Sequence, residues 1–369
     1  MRILHISSAR DFGGGERYLV DLVNALAARG HDLYVALRRG SPLIGKLKLP
    51  TENVITLPLR NALDARSAGT LAKLTSGHKI EIVHAHMARD YPLAAYAARR
   101  NPGVRLIVTR HVLFPLSRLH KVTLARVSRV IAVSHAVERQ VRAQALVPPG
   151  KITVIHNGID CERIEKTRSG FNRTEFCQRW NLPADSLLLG SVGTLTPLKG
   201  HEDFLKAAAQ IKNLCPQAFF IISGVDSSAG QTHRHALERS IKELGLVDRV
   251  CLIGWMDNIS ELFCALDVFV SASRSESFGL AIVEAMAAGA TVVATKTEGA
   301  LEIVSDGVTG VLVPVGRTEH MAQVITELLL DPVKRRTISA DAGAVVQERF
   351  SLKRMVEQTE KVYLEMSEP

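Results

Sequence analysis

Short apolar runs alternate with amphipathic stretches along most of the chain. The first run, Arg2–Ser8, leads through a glycine-rich turn to Leu19, Leu22, Val23 and Leu26. Their spacing of three and four predicts a helix that stops near Arg29-Gly30. Apolar runs recur at His31–Leu37, Val54–Leu57, Glu81–His86, Leu106–His111, Val130–Ser134 and Ile152–His156, with helical stretches between them. Around Cys161–Leu182 the periodicity lapses into charged and polar residues. It then resumes with runs at Leu187–Val192, Ala218–Ser223, Val250–Ile253, Asp267–Ser271, Thr291–Ala294 and Gly310–Val313. Apolar strands separated by helices predict an α/β chain with two doubly wound parallel sheets. The lapse predicts a boundary between domains 1–165 and 166–349, and Phe350–Met366 reads as a last amphipathic helix.

The most informative stretch is Ser273–Gly289, SRSESFGLAIVEAMAAG. Ser277 suits an N-cap, Phe278–Ala288 a helix, and Gly289 its stop. A strand precedes this helix and another follows, so the loop lies at a strand's carboxyl end, where open α/β sheets bind ligands. Amides of Ser277, Phe278 and Gly279 at a helix N-terminus suit a phosphate. Glu276 stands just before that terminus and Glu284 about two turns into the helix, ~10 Å at 1.5 Å per residue. Two carboxylates flanking an anion site match the hydroxyls on either side of a sugar–diphosphate–ribose. Alone, two such glutamates would read as a solvated helix face, and the rest of the chain decides otherwise.

Other strand ends carry polar residues. Gly13-Gly14-Gly15-Glu16 follows the first run without forming G-x-G-x-x-G, which lowers the case for a dehydrogenase. Lys199 begins a helix after Gly193-Thr194-Leu195 and can reach an anion as a point charge. His84 and His86 share one face of a strand and could form a metal pair, yet no third carboxylate or cysteine ligand stands near them, so no metal is expected. His111 closes an apolar strand and is the better candidate for ligand contact.

Charge adds an asymmetry. Residues 1–150 hold 23 Lys and Arg against 9 Asp and Glu, and the remainder 23 against 28. A basic first half suggests an anionic partner. Aromatic residues make up 5% and no stacking motif occurs, which argues against nucleic acid and leaves an anionic membrane surface or a glycolipid. Arg38–Leu49 and the mostly helical Arg118–Arg142 are the basic stretches that could lie on such a surface. No run approaches the ~18 apolar residues of a membrane helix, and Met1–Ser8 reads as a strand rather than a leader. Five cysteines without a C-x-x-C pair fit a reducing compartment. A cytoplasmic protein, peripheral on the inner face of the plasma membrane, is the expectation.

Two tandem domains, Gly13–Glu16, Lys199-Gly200, and Glu276 and Glu284 around Ser277-Phe278-Gly279-Leu280 together resemble the family 4 retaining glycosyltransferases of the GT-B fold. Asn157-Gly158-Ile159-Asp160 and Glu302–Gly307 with Thr309-Gly310 add to the match. The resemblance implies two Rossmann-like domains facing across a cleft, with 350–369 packing back on the first. It implies a metal-independent transfer, without cofactor, of a hexose-type sugar from a nucleotide-diphosphate sugar to a glycolipid, lipopolysaccharide-type or polysaccharide acceptor. Carried over by motif, Glu276 holds sugar hydroxyls, Glu284 the ribose, Lys199 the diphosphate with amides near Phe278–Leu280, and His111 faces the reacting sugar. Gly13, Gly14 and Gly15 close the phosphate side, and the base rests near Gly254, Trp255 and Met256. The chain departs from the family at Thr194, where many members have arginine, and at Glu298, where glycine is common. Arg274, Arg110 or Arg10 are the candidate substitutes for the missing arginine. A binding-only homologue and a nucleotide-sugar epimerase of the same fold remain as alternatives.

Overall fold

In the computed structural model, which describes residues 1–367, each of these apolar runs forms a strand of one of two parallel sheets. Tertiary contacts divide the chain into two units, residues 1–158 with the segment from Leu352 onward, and Ile159–Ser351.

The first unit runs β1 (Arg2–Ser7), α1 (Gly14–Ala28), β2 (Asp32–Arg38), β3 (Val54–Leu57), α2 (Ala65–Gly77), β4 (Ile82–Ala85), α3 (Tyr91–Arg100), β5 (Arg105–Arg110), α4 (His120–Leu124), β6 (Arg129–Ala132), α5 (His135–Ala143) and β7 (Ile152–Val154). Its sheet order is β3-β2-β1-β4-β5-β6-β7. Ile3 pairs with Leu33 on one side and Ile82 on the other, so β1 is central and buried on both faces.

The second unit runs α6 (Cys161–Ser169), α7 (Arg173–Arg179), β8 (Leu187–Val192), α8 (His201–Leu214), β9 (Ala218–Ser223), α9 (Thr232–Glu243), β10 (Val250–Ile253), α10 (Ile259–Ala265), β11 (Val268–Ser271), α11 (Leu280–Ala288), β12 (Thr291–Thr295), α12 (Glu298–Ile303), β13 (Val311–Val313), α13 (Thr318–Leu330) and α14 (Pro332–Arg349). Its sheet order is β10-β9-β8-β11-β12-β13. Strand order reverses between β1 and β4 in one sheet and between β8 and β11 in the other. The loops at the carboxyl ends of these strands are therefore where a ligand site is expected.

The last helix, α15 (Leu352–Ser367), belongs to the first unit. Met355, Val356, Val362 and Tyr363 join the core that contains Leu19, Leu22 and Leu26 of α1. Glu360 also accepts from Arg29 at 2.7 Å and lies 2.6 Å from His31 Nε2. Burying each large apolar side chain stabilises by roughly 1.5–3 kcal/mol, whereas a surface ion pair contributes at most about 1. The apolar seam therefore outweighs the Glu360 pairs in holding α15.

The stretch from Arg118 to Arg142 holds α4 and α5 with β6 between them, in line with a mostly helical stretch around the run Val130–Ser134. Two expectations need correction. The lapse at Cys161–Leu182 holds two helices, α6 and α7. They start at side-chain caps, with Asp160 accepting from Arg163 N and Asn172 from Thr174 N, rather than from an apolar stripe. The last helix begins at Leu352 and not at Phe350, whose amide instead closes α14 on Val346 O.

Candidate active site

In the second unit the loops after β8 and β11 meet. Arg274 N donates to Leu198 O at 2.8 Å, which lays the segment after Ser271 beside the turn Pro197–Lys199. Gly200 makes this approach feasible. Its φ is +66°, and a Cβ there would come 2.0 Å from Ala272 O. Across the join, Lys199 Nζ donates to Glu276 Oε2 at 2.7 Å, and Ser273 Oγ donates to the same oxygen at 3.3 Å. Lys199 and Glu276 are 77 positions apart, and the fold makes them a partly buried ion pair. Lys199 sits in the short turn ahead of α8 rather than in that helix.

Helix α11 starts at Leu280, two residues later than the sequence suggests, and Ser277 is not its cap. The N-cap is Gly279 at φ +114°, and its carbonyl accepts from Ile282 and Val283. Phe278 is drawn into the core, its ring 5.7 Å from that of Phe350. Gly299, at the start of α12, holds the loop from the other side. Its amide donates to Glu276 O at 3.0 Å, and a Cβ there would come 2.3 Å from Phe278 O. The N-terminal amides of α11 are thus those of Leu280 and Ala281, and Ser277 and Phe278 belong to the loop ahead of them. Glu284 is the fifth residue of α11, about 6 Å along the axis and not ~10. Its side chain is buried.

Thr194 is exposed in the loop after β8. Gly254, Trp255 and Met256 follow β10, three strands from β11, or about 14 Å at strand spacing. Trp255 is half exposed and its indole donates to Asp257 at 3.1 Å. Of the arginines that could stand in for one at Thr194, Arg274 is held by the buried Asp203 at 3.1 Å. Arg110 belongs to the first unit, where it is buried and donates to Phe114 O.

In the first unit Gly13–Gly15 open α1, with Gly13 as N-cap. Gly13 N donates to Glu16 Oε2 at 3.0 Å, so the acid of this motif caps its own helix. His111, one residue beyond β5, lies against the first turn. A Cβ on Gly15 would be 3.6 Å from its ring, and Tyr18 meets the ring edge-on at 4.8 Å. Both His111 nitrogens are shut off from solvent and, among the described residues, have no hydrogen-bond partner. Burial first, and then the Arg110 charge, push its pKa down to about 3. A neutral imidazole has one nitrogen that donates and one that accepts, so a ligand hydroxyl that reached the ring could pair with either.

Several neighbours escape a reading of the sequence. His5, in the middle of β1, completes a buried cluster with His84 and His86. One ligating atom from each lies within 4.8 Å of the others, so a third potential ligand is present, a histidine rather than the carboxylate or cysteine sought in the sequence. Four of its six ring nitrogens have partners, while His5 Nε2 and His86 Nδ1 have none among the described residues. His5 Nδ1 is 3.0 Å from His86 Nε2, and His84 has Tyr363 Oη at 2.6 Å and Thr109 Oγ1 at 2.7 Å on its two nitrogens. Arg89 and Asp90 clasp the loop after β1. Asp90 accepts from Ser8 N at 2.8 Å, and Arg89 donates to Ser8 Oγ at 2.7 Å. Burial raises Asp90 to about 6. In the second unit His201 opens α8, and burial lowers it to about 4. A lone polar residue within or beside an apolar run gives no sign of such partners. Only the Arg-Asp pair at a strand's carboxyl end could have been singled out.

Residues 172–344 match the model for group 1 glycosyl transferases, and residues 12–163 match glycosyltransferase family 4. N-acetyl-alpha-D-glucosaminyl L-malate synthase of Bacillus anthracis is 26% identical, covering 96% of this chain and 94% of its own. HepE of Anabaena in complex with UDP-glucose is 26% identical at TM-score 0.84, covering 99% of this chain and 100% of the other. A glycosyltransferase from Rickettsia africae shares the fold at TM-score 0.87 and 22% identity, covering 99% and 98%. Two parallel-sheet units, each matched by its own glycosyltransferase model and together spanning most of the chain, identify it as a member of glycosyltransferase family 4 with the GT-B fold.

Proposed function

We propose that the chain transfers a hexose-type sugar from a nucleotide-diphosphate sugar to a glycolipid, lipopolysaccharide-type or polysaccharide acceptor, with retention and without a metal. The observation that carries this is the Lys199–Glu276 pair at 2.7 Å beside the N-terminus of α11. Charge grows on the leaving phosphate as the glycosidic bond breaks, and fixed positive groups lower that barrier. Lys199 and the first amides of α11 are such groups, and they need no ion to act. Glu276 then accepts from sugar hydroxyls once Lys199 turns to phosphate, and Glu284 accepts from the ribose. Trp255 and its neighbours take the base by backbone contact, and His111 with Gly13–Gly15 bonds the reacting sugar and its phosphate. The donor assignment draws support from the UDP-glucose complex of HepE. A lipid-borne acceptor would bring the protein to the inner face of the plasma membrane.

A binding-only homologue is favoured by one observation, the exposed Thr194 where many family members carry arginine. A panel of uridine, guanosine and adenosine diphosphate sugars separates the two readings. Slow nucleotide release from one donor, unchanged by a chelator and faster with acceptor, is the expected result. Donor binding with no release, even with acceptor present, would leave only the scaffold. Inversion at the anomeric carbon, read from the product's proton coupling, would overturn the stereochemical part.

A further inference from the structure

Residues 91–137 contain eight Lys and Arg and no Asp or Glu. Within them, Val112–Arg126 leaves β5 and carries α4. Its most exposed apolar side chains are Phe114 at 65%, Leu119 at 81% and Val122 at 69%, with Val112 less so at 37%. Leu116 and Leu124 of the same segment, and Val127 just after it, are buried. The segment is thus sorted into an inward and an outward apolar set, and the inward set is clasped in place. Gln144 accepts from Leu116 N at 3.0 Å and donates to its carbonyl at 2.8 Å, and His120 Nε2 lies 3.1 Å from Ala88 O. Leu119 and Val122 are three apart on a turn in which Val122 N donates to Leu119 O, so they share a side. Arg118, Lys121 and Arg126 stand exposed among them. Scattered exposed apolar residues are ordinary, but Leu119 and Val122 on one turn, with Phe114 on the same short segment and cations between them, mark an interaction surface.

We propose that Val112–Arg126 docks the chain on an anionic lipid bilayer, with Phe114, Leu119 and Val122 entering the headgroup–acyl boundary and Arg118, Lys121 and Arg126 meeting lipid phosphates. A soluble polyanion would engage the cations and leave the three apolar side chains in water, whereas a bilayer accepts both sets. The other basic loop, Arg38–Leu49, is built differently. Its Leu43 is buried, Lys46 lies 4.8 Å over the Phe12 ring, and Asn24 brackets it through Lys46 O and Lys48 N. Leu43, Leu47 and Leu49 pack on the core, which leaves Ile44, at 38%, as the loop's one exposed large apolar side chain. Among the described residues no helix is long and apolar enough to cross a membrane, so attachment through this segment is interfacial. The assignment deepens the glycolipid-acceptor reading, on which its usefulness rests, but its test needs only lipid.

The full chain is sedimented with vesicles of phosphatidylcholine alone or mixed with phosphatidylglycerol. Binding is expected only to the mixed vesicles, and it should weaken as salt rises. The triple variant Phe114→Ser, Leu119→Ser, Val122→Ser should bind at least about tenfold more weakly, and Arg118→Glu with Lys121→Glu should lose roughly fivefold or more per cation. Leu63→Ser, which removes an 89% exposed side chain from a different loop, should bind like the parent. Thermal melts and nucleotide release are followed on every protein. Loss of release with vesicle binding intact counts against the transferase, not against the docking segment. Binding indifferent to lipid charge, or a folded triple variant that binds as well as the parent, overturns the proposal. So does binding to a soluble anionic polysaccharide without binding to vesicles.

Discussion

Lys199 and Glu276 serve as each other's counterion at 2.7 Å, and this pairing gives each a distinct expected phenotype. A bound diphosphate offers Lys199 a second anion, so Lys199→Met removes a charge-assisted bond of about 1.5–3 kcal/mol and should weaken nucleotide affinity about 10- to 100-fold. Glu276→Gln keeps the shape and some hydrogen bonding but removes the negative charge. Nucleotide affinity should then hold within a few-fold while kcat falls by about two orders of magnitude. Glu284→Gln should show the opposite pattern, with weaker nucleotide binding and less effect on kcat. Titration calorimetry with the nucleotide, set beside initial rates, separates these cases. Equal losses in binding and turnover for all three variants would sink the division of roles. His111 is read in the same way, as a neutral ring whose two nitrogens are buried and, among the described residues, without a hydrogen-bond partner.

At the scale of elements, the strands were legible because parallel strands covered on both faces read as unbroken apolar runs. Half of the strand ends coincide with the ends of the apolar runs, and the rest differ by one or two residues. The start of α11 was not legible. Ser277 carries the usual N-cap signal, but Gly279 takes the position, held by contacts from Gly299 twenty residues on. Such a contact between loops has no local period. The same holds for Lys199 and Glu276, each recognisable alone, whose pairing only the join of the β8 and β11 loops creates. His5 lies further still from view, since one histidine in an apolar strand reads as just another strand residue. The join also makes a prediction. Gly200→Ala would set a Cβ 2.0 Å from Ala272 O at φ +66°, and it should destabilise the second unit by about 2–4 kcal/mol. Urea unfolding followed at Trp180 and Trp255 would measure this, and an unchanged midpoint would mean that the loops part at little cost.

The whole molecule carries a pH dependence written by its buried rings. His5 and His111 fall to about 3 in the fold, and His84 and His86 also lie well below the ordinary 6.5, chiefly through burial. The unfolded chain binds protons at these sites below pH ~6.5 while the native one does not, so stability is full above that value and drains as pH falls toward ~3. At pH 5, His5 and His111 each forfeit about 2 kcal/mol. Asp90 works the other way. Raised to about 6, it favours the native state as pH drops from there toward 3.8 and returns about 1.4 kcal/mol at pH 5. The first unit should therefore melt at a steady temperature from pH 8 to 7 and progressively lower below 6.5, as calorimetry would report; a flat profile down to pH 5 would contradict the buried, neutral cluster. That cluster also leans on the far end of the chain, since His84 bonds Tyr363, 279 positions away, and α15 completes the core around α1. On the ribosome this imposes an order. The unit whose synthesis begins first lacks its closing helix until after the other unit has been made in full, so the sheet begun by β1 waits with an uncovered apolar face while Ile159–Ser351 already has every residue it needs.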